Sequence, residues 1–562
     1  MPTESSDSRR QIHRCGQNSR PELPRHHCDA PSSLAMGPTS TSFGSMLARL
    51  ALTTLLAGVS GHAVAQKAQP DGAAAARAGE IAHAQKMRKL FPDIGVGAQP
   101  APFVIPQLEI DRDPGGAIAT FQPNGSTITA KNAFFQNLGT NGRTCFTCHE
   151  PQDGWSLSAQ HAQDRFYADS NDPLFRLVDG ATCPSDDVST YRQKRKAYSL
   201  LLGKGLIRIG LPMPTTTGLE FQIVDVNDPY GCNTNAITGL TGSTTGIVSV
   251  YRRPLPAANL GFLSAIMWDG REPSLFNQAV DATLGHAQGA VAPSAMQQQQ
   301  IVSFEGCMSA VDPTLCANTP AGSGVFAAQF FDDAGIYLAD KGVNGGPITL
   351  SKELAKFYIG INDPLGQNPK GTAFNPQIFD LYSDWGGHRR TGRGDDRRQA
   401  IARGQELFNT TNIVITGVAG LNDALNQPSF SGFCGTCHDA PNVGNHSVKA
   451  PLNIGVADAG KNSPPALDIG ELPVFTLWCT SGPLAGTMFE VTDPGRSLIT
   501  GKCADIGKLK GPILRGLAAR APYFHNGSAA TLSDVVEFYN QRFGIGFTDQ
   551  QKSDLTAFLS SL

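Results

Sequence analysis

The sequence predicts a mainly α fold with long loops and minor β insertions, built as two domains of one plan. Three observations lead there. The pattern Cys-x-x-Cys-His occurs twice, as Cys145-Phe-Thr-Cys148-His149 and as Cys434-Gly-Thr-Cys437-His438. Helical patterns lead into both copies and close the chain after the second. Gly (61) and Pro (38) are spread throughout, which favours long ordered loops over dense regular structure.

Cys-x-x-Cys-His is the attachment signature of c-type haem. Two thiols add across the haem vinyl groups, and the adjacent His becomes the proximal iron ligand. A redox Cys-x-x-Cys pair or half of a zinc site needs no His directly after the second Cys, and neither explains two complete copies. Two covalently bound haem c groups are therefore expected, on Cys145, Cys148 and His149 and on Cys434, Cys437 and His438.

Covalent haem attachment requires export, and residues 1–65 read as an upstream segment plus a signal peptide. Met46-Leu-Ala-Arg49 opens a basic region, Leu50 to Val59 is mostly apolar but too short to span a bilayer, and Ala63-Val64-Ala65 is a small-x-small cleavage site. Cleavage after Ala65 leaves 497 of the 562 residues in the periplasm. It removes six Arg and four acidic residues, so the net charge moves from −3 to −5. That mildly acidic balance argues against nucleic acid, whose binding needs a positive field, and suits a small basic electron donor. No later segment has the length of a membrane-spanning helix. Six cysteines remain outside the motifs, and an even remainder in an exported chain points to disulfides. Proximity suggests Cys183–Cys232, Cys307–Cys316 and Cys479–Cys503.

Along the chain, Asn132 to Leu138 reads as a short amphipathic helix running into the first motif. Insertions at about 163–250 and 287–390 swell this first half. They hold β-like runs such as Ile247 to Tyr251, and the Gln297–Gln300 run reads as a solvated helix face. Arg398 to Phe408 is a clearer helix, with Ala400, Ile401, Leu407 and Phe408 on one face. Leu532 to Tyr539 and Asp549 to Leu559 are closing helices, the last begun by a Thr548-x-x-Gln551 capping box. Helix, haem motif, loop, ligand and closing helix is the order of a class I cytochrome c domain. Two cytochrome c-like domains are expected, at 66–395 and 396–562.

With these elements in place the chain resembles the bacterial di-haem cytochrome c peroxidase superfamily, which includes MauG. The carriers are the two motifs, Met267-Trp-Asp-Gly-Arg-Glu-Pro-Ser-Leu-Phe-Asn-Gln278, Lys510-Gly-Pro-Ile-Leu-Arg515, Ala521-Pro-Tyr-Phe-His-Asn-Gly527 and Thr531-Leu-Ser-Asp-Val-Val-Glu-Phe-Tyr539. The resemblance implies that the first haem meets peroxide and the second relays electrons. It makes Trp268 the tryptophan between the haems and Gln278 a distal-pocket glutamine. Where the peroxidases carry a proton-moving glutamate, this chain has Gln288, which cannot act as acid or base. His286 beside it either replaces that group, ligates iron, or is a buried, hydrogen-bonded histidine. His161 lies in the region of a reversible distal ligand but outside the family's loop, and reads as a surface residue. Tyr539 is the expected distal ligand of the second iron, with His525 as its rival and Met488 an outside candidate. The superfamily's calcium ion would use the carbonyls of Arg520 and Pro522, but the usual Asn is replaced by Arg252-Arg253-Pro254.

The expected activity is reduction of hydrogen peroxide with electrons from a small c-type cytochrome or another periplasmic donor. The lost glutamate and enlarged first half keep open a di-haem oxygenase or oxidase using dioxygen on an organic substrate, as the rubber oxygenases do. A non-catalytic di-haem electron carrier is the third reading.

Overall fold

Short strands that pair across long stretches of sequence frame the protein. Its computed structural model describes residues 101–562, apart from 216–217, 237–238, 241–243, 307–322, 340–342, 344 and 388–393. The expected leader and the Cys307–Cys316 pair lie outside the described residues. All described residues fall in one of two compact units of the chain, Pro70–Leu562.

Twelve strands are described: β1 (Val104–Ile105), β2 (Leu108–Asp113), β3 (Gly116–Phe121), β4 (Thr127–Ile128), β5 (Ile207–Pro212), β6 (Phe221–Asn227), β7 (Ile247–Arg252), β8 (Phe326–Phe331), β9 (Ile413–Thr416), β10 (Ser429–Gly432), β11 (Val474–Cys479) and β12 (Met488–Val491). They make five small antiparallel sheets, with orders β1-β4, β2-β3-β8, β5-β7, β12-β11-β6 and β10-β9. Six helices of ten residues or more are described: α1 (Ala159–Ala168), α2 (Leu275–Gly285), α3 (Ala295–Glu305), α4 (Asp395–Thr410), α5 (Leu532–Arg542) and α6 (Asp549–Ser560).

The expected mainly α class is therefore wrong. The described structure is 30% helical and 17% strand, a mixed composition close to that of ordinary globular domains. The physical reason is range. Strand β6 pairs with β11, Leu477 opposite Ile223, and β3 pairs with β8, Ala119 opposite Ala328. Neither partner is visible in a local window, and short apolar runs carry no period of their own. The helix expected at Asn132–Leu138 is also reduced to a single 3₁₀ turn, Ala133–Phe135. Ile247 to Tyr251 does form a strand, and the glutamine run lies on α3, half exposed.

Helices α4 and α6 pack so closely that a Cβ at Gly404 would sit 2.1 Å from the Asp554 carbonyl oxygen. Arg403 brackets the contact, with Nε 2.7 Å and Nη2 2.8 Å from the two Asp554 carboxylate oxygens. Thr548 and Gln551 form the expected capping box at the start of α6. Phe408 of α4 and Phe558 of α6 meet Phe379 in the core, and Phe408 lies 6.1 Å from the His438 ring. Two disulfides, Cys183–Cys232 and Cys479–Cys503, close local loops with Cα separations of 5.3 and 6.1 Å. Among the described residues no helix is long and apolar enough to cross a membrane.

Candidate functional site

The two Cys-x-x-Cys-His segments fold alike. Each Cys-x-Thr forms a 3₁₀ turn, Cys145–Thr147 and Cys434–Thr436. In both, the Thr hydroxyl accepts a bond from the backbone N–H just before the first Cys, at 3.0 Å from Thr144 N and from Phe433 N. In both, the His Nδ1–H donates to a carbonyl six residues on, His149 to Trp155 at 3.0 Å and His438 to Gly444 at 2.7 Å. The acceptor residue is left-handed each time, with φ of 60° at Trp155 and 76° at Gly444. Trp155 holds that strained backbone by burial, by its Nε1–H bond to Thr120 Oγ1 at 2.9 Å, and by ring contacts with Phe134, Phe146 and Phe304.

This geometry fixes the tautomer. With Nδ1 protonated and bonded, Nε2 is the free lone pair, which is how a metal-ligating imidazole is oriented. Burial lowers both His149 and His438 to about 4, so both are neutral at pH 7. The four motif thiols are unpaired, and burial pushes Cys148 up to about 11 and Cys434 and Cys437 up to about 12.

Each motif opens on its own largely apolar cavity. Both are partly open to solvent and broadly lined, leaving room for a large flat group at each. Size, free Nε2 and the paired thiols on one wall all fit a covalently held haem.

The first cavity gathers Cys145, Cys148 and His149 with Trp268, Gln278 and His286. Helix α2 supplies Gln278 and ends at His286, its C-cap. His286 Nδ1 donates to Asp179 Oδ2 at 2.5 Å, leaving Nε2 without that partner, and the side chain is 36% exposed. Burial works against the Asp179 charge, but Arg143 and His286 beside it hold the carboxyl below its ordinary range. Gln288 is not part of this cavity. It sits in a left-handed turn, its Oε1 accepting from Asn141 Nδ2 at 3.2 Å, and lines a separate depression with Arg176 and Tyr198. His161 is no surface residue and reaches neither cavity: it is buried on α1, bonded to Asp153 at 2.8 Å.

The second cavity gathers Cys434, Cys437 and His438 with Tyr539 and His525. Tyr539 projects from α5, and burial raises its hydroxyl well above the ordinary tyrosine value. His525 is buried, its Nε2 3.6 Å from Asp493, beyond hydrogen-bond range. Burial lowers it to about 4. Met488 is 59% exposed on β12 and lines neither cavity.

Trp268 and Arg253 line both cavities. Trp268 Nε1–H donates to the Arg253 carbonyl at 2.8 Å, and its ring centroid lies 6.1 Å from that of His525. Asp269 and Arg271 act as scaffold. Asp269 accepts from Arg271 at 3.0 Å and from Arg252 at 2.6 Å, and Arg252 also grips Asp493 at 2.7 Å. The calcium donor set does not fit a metal ion. The Arg253 guanidinium already occupies it, donating to the carbonyls of Arg520 at 2.9 Å and Lys204 at 3.1 Å. Among the described residues, no group of three or more His, Cys, Asp or Glu side chains could hold a metal ion.

Asp179, Glu305 and Arg253 are the site residues that sequence reasoning missed. Asp179 and Glu305 stand in no motif. Arg253 is visible only as the departure from the family's Asn.

No protein-family model matches the chain. Over 255 residues it is 28% identical to cytochrome c551 peroxidase of Nitrosomonas europaea, covering 44% of this chain and 64% of that protein. Over 140 residues it is 36% identical to cytochrome-c peroxidase IdrP2 of Denitromonas iodatirespirans, covering 23% of this chain and 36% of that protein. The matches thus span from about a third to just under two thirds of these relatives' lengths. A crystal structure of a MauG-like protein associated with microbial copper homeostasis covers 77% of this chain at 16% identity, with a TM-score of 0.31, a likeness too slight to carry an argument. Parts of the chain are thus similar, at low identity, to bacterial cytochrome c peroxidases.

Proposed function

We propose that the protein is a periplasmic di-haem c-type oxidoreductase of the peroxidase type. It reduces hydrogen peroxide at the first cavity with electrons passed through the second from a small c-type cytochrome or similar donor. The observation that carries this reading is the doubled motif geometry, two tied imidazoles facing two cavities that share a wall at Trp268 and Arg253.

Cys145 and Cys148 would hold one haem and Cys434 and Cys437 the other. When bound, haem would supply redox-active iron able to react with peroxide. The protein does the rest. His149 and His438 present Nε2 from rigid imidazoles, and the carbonyls of Trp155 and Gly444 make those ligands more basic. Tyr539, which lines the same cavity as His438, would be a further protein ligand of the second iron, with His525 as the rival. At the first cavity, His286 takes over the proton handling that Gln288 cannot perform. Asp179 fixes its tautomer, so Nε2 is free to accept a proton and return it. Gln278 supplies a side-chain amide on the same wall. The Trp268 ring, tied by its bond to Arg253, lines both cavities and offers an aromatic path between them.

The test is oxidation of a reduced c-type cytochrome by hydrogen peroxide in the haem-loaded protein, followed optically, with resting EPR recorded alongside. Peroxide-dependent oxidation and a high-spin signal from one haem are expected. Consumption of dioxygen with an organic reductant, and none of peroxide, would move the reading to an oxygenase. Two low-spin haems inert to both would make the protein an electron carrier.

A further inference from the structure

Glu305 is the last residue of α3, and it lines the first cavity together with Ile301 one turn earlier. Helix α3 packs on α2, the helix that carries Gln278, so both walls converge on one space. The residue is only 6% exposed, and its carboxyl Oε2 is buried with no hydrogen-bond partner among the described residues. No cation faces it. The Cys145 thiol, raised chiefly by its own burial, is raised further by Glu305, which puts the carboxyl near the first attachment cysteine.

Buried polar atoms without partners are rare enough to need a reason. A carboxylate at the negative end of a helix, in apolar surroundings and unpaired, is disfavoured twice over. The neutral acid avoids both costs, and burial indeed raises Glu305 to about 8. A carboxylic acid kept neutral at pH 7 is a hydrogen-bond donor, the form suited to a ligand that develops negative charge.

We propose that Glu305 is the proton donor of the first cavity, aiming a neutral carboxyl at the departing oxygen of bound peroxide. The inference rests on the peroxidase reading and deepens it. Reduction of one hydrogen peroxide to two waters takes two electrons and two protons. The electrons come from the small donor protein. As the O–O bond breaks, Glu305 gives one proton to the oxygen that leaves as water, and the second enters through His286. The Glu305 carboxylate then regains its proton from solvent. The acid missing at position 288 is thus supplied from another helix.

The test uses the haem-loaded ferric protein and cyanide as a probe of the first cavity. Difference infrared spectra with and without cyanide should show the carbonyl stretch of a protonated carboxylic acid shifting in the wild type. The band should be gone in E305Q, with haem content and resting spectra unchanged. Peroxide turnover should fall roughly 100-fold in E305Q, the usual scale for losing a general acid. E305L, which also lacks a donor, should bind cyanide about tenfold more weakly. If E305L does not fold, E305Q and the infrared band decide alone. A band that does not move with cyanide, or that survives in E305Q, overturns the proposal. A wild type that shows the moving band but no peroxide turnover overturns the peroxidase reading and the proton-transfer step, while leaving Glu305 as the neutral donor of that cavity.

Discussion

Arg253 carries a buried charge bonded to carbonyl oxygens and, among the described residues, to no carboxylate. Burial lowers it to about 10, still well above pH 7, so the guanidinium stays charged. Space is reserved for it: at Gly205, where φ is +60°, a Cβ would lie 1.9 Å from Arg253 Nη1. Its backbone is equally committed, with N–H donating to the His525 carbonyl at 2.6 Å and C=O accepting from Trp268. One residue therefore ties the ligand candidate of the second cavity to the aromatic wall of both. Arg253→Ala would leave three carbonyls without donors, at about 1–3 kcal/mol each for those that water cannot reach. A loss of at least about 2 kcal/mol in urea denaturation is expected. Calcium chelators should leave the wild-type Tm unchanged. A Tm that falls with chelator and recovers with calcium would show that a metal ion, rather than this guanidinium, bridges those carbonyls.

Elements that carry function here are short, and most are held by partners far away in sequence. The loop closed by Cys479–Cys503 spans 24 residues and carries Asp493, the carboxylate that grips Arg252. Arg252 in turn holds Asp269, next to Trp268. Replacing both cysteines by Ser should cost about 3 kcal/mol, the usual scale for a loop of that length. It should also loosen the Trp268 wall, read as faster hydrogen exchange at the Trp268 indole N–H. Unchanged exchange would mean that strand β11 alone positions the loop. The same contrast of range explains what the sequence could reveal. The haem motifs, α4 to α6 and the Thr548 cap are local patterns, and all were legible. Strand β6 meeting β11 is not local, nor is Asp179 meeting His286 or Glu305 entering the first cavity. Gln288 misleads for a related reason. Gapless spacing puts it at the family's glutamate, but its left-handed backbone turns it out of the cavity.

Across the whole molecule, buried titratable groups set opposing demands on pH. His161 is buried, which disfavours its charge, yet Glu150 and Asp153 outweigh burial and hold it up to about 9. Its ordinary value is 6.5, so the folded state binds more protons than the unfolded chain between those limits. The stabilisation is complete below 6.5 and is lost as pH rises through about 9. Glu305, held up to about 8 by burial, works in the same direction from its ordinary 4.5 upwards, because the folded state resists its ionisation. His525 does the opposite. Burial lowers it to about 4, so as pH falls below 6.5 the unfolded chain takes up a proton that the folded state refuses. Between pH 4.5 and 6.5 the contributions of Glu305 and His525 cancel, so for these three groups folding stability should be level there, with an alkaline limb above pH 6.5 due to His161 and Glu305 and an acid limb below about pH 4.5 due to His525. Urea midpoints of the haem-loaded protein across pH 4 to 9 give the profile. H161Q should lower stability at pH 6.5 and remove much of the alkaline slope, whereas E305Q should flatten that slope without the loss at pH 6.5. If neither variant changes the slope, the buried charges that set it lie elsewhere, and the ionised His161 and neutral Glu305 on which the argument depends would both be wrong.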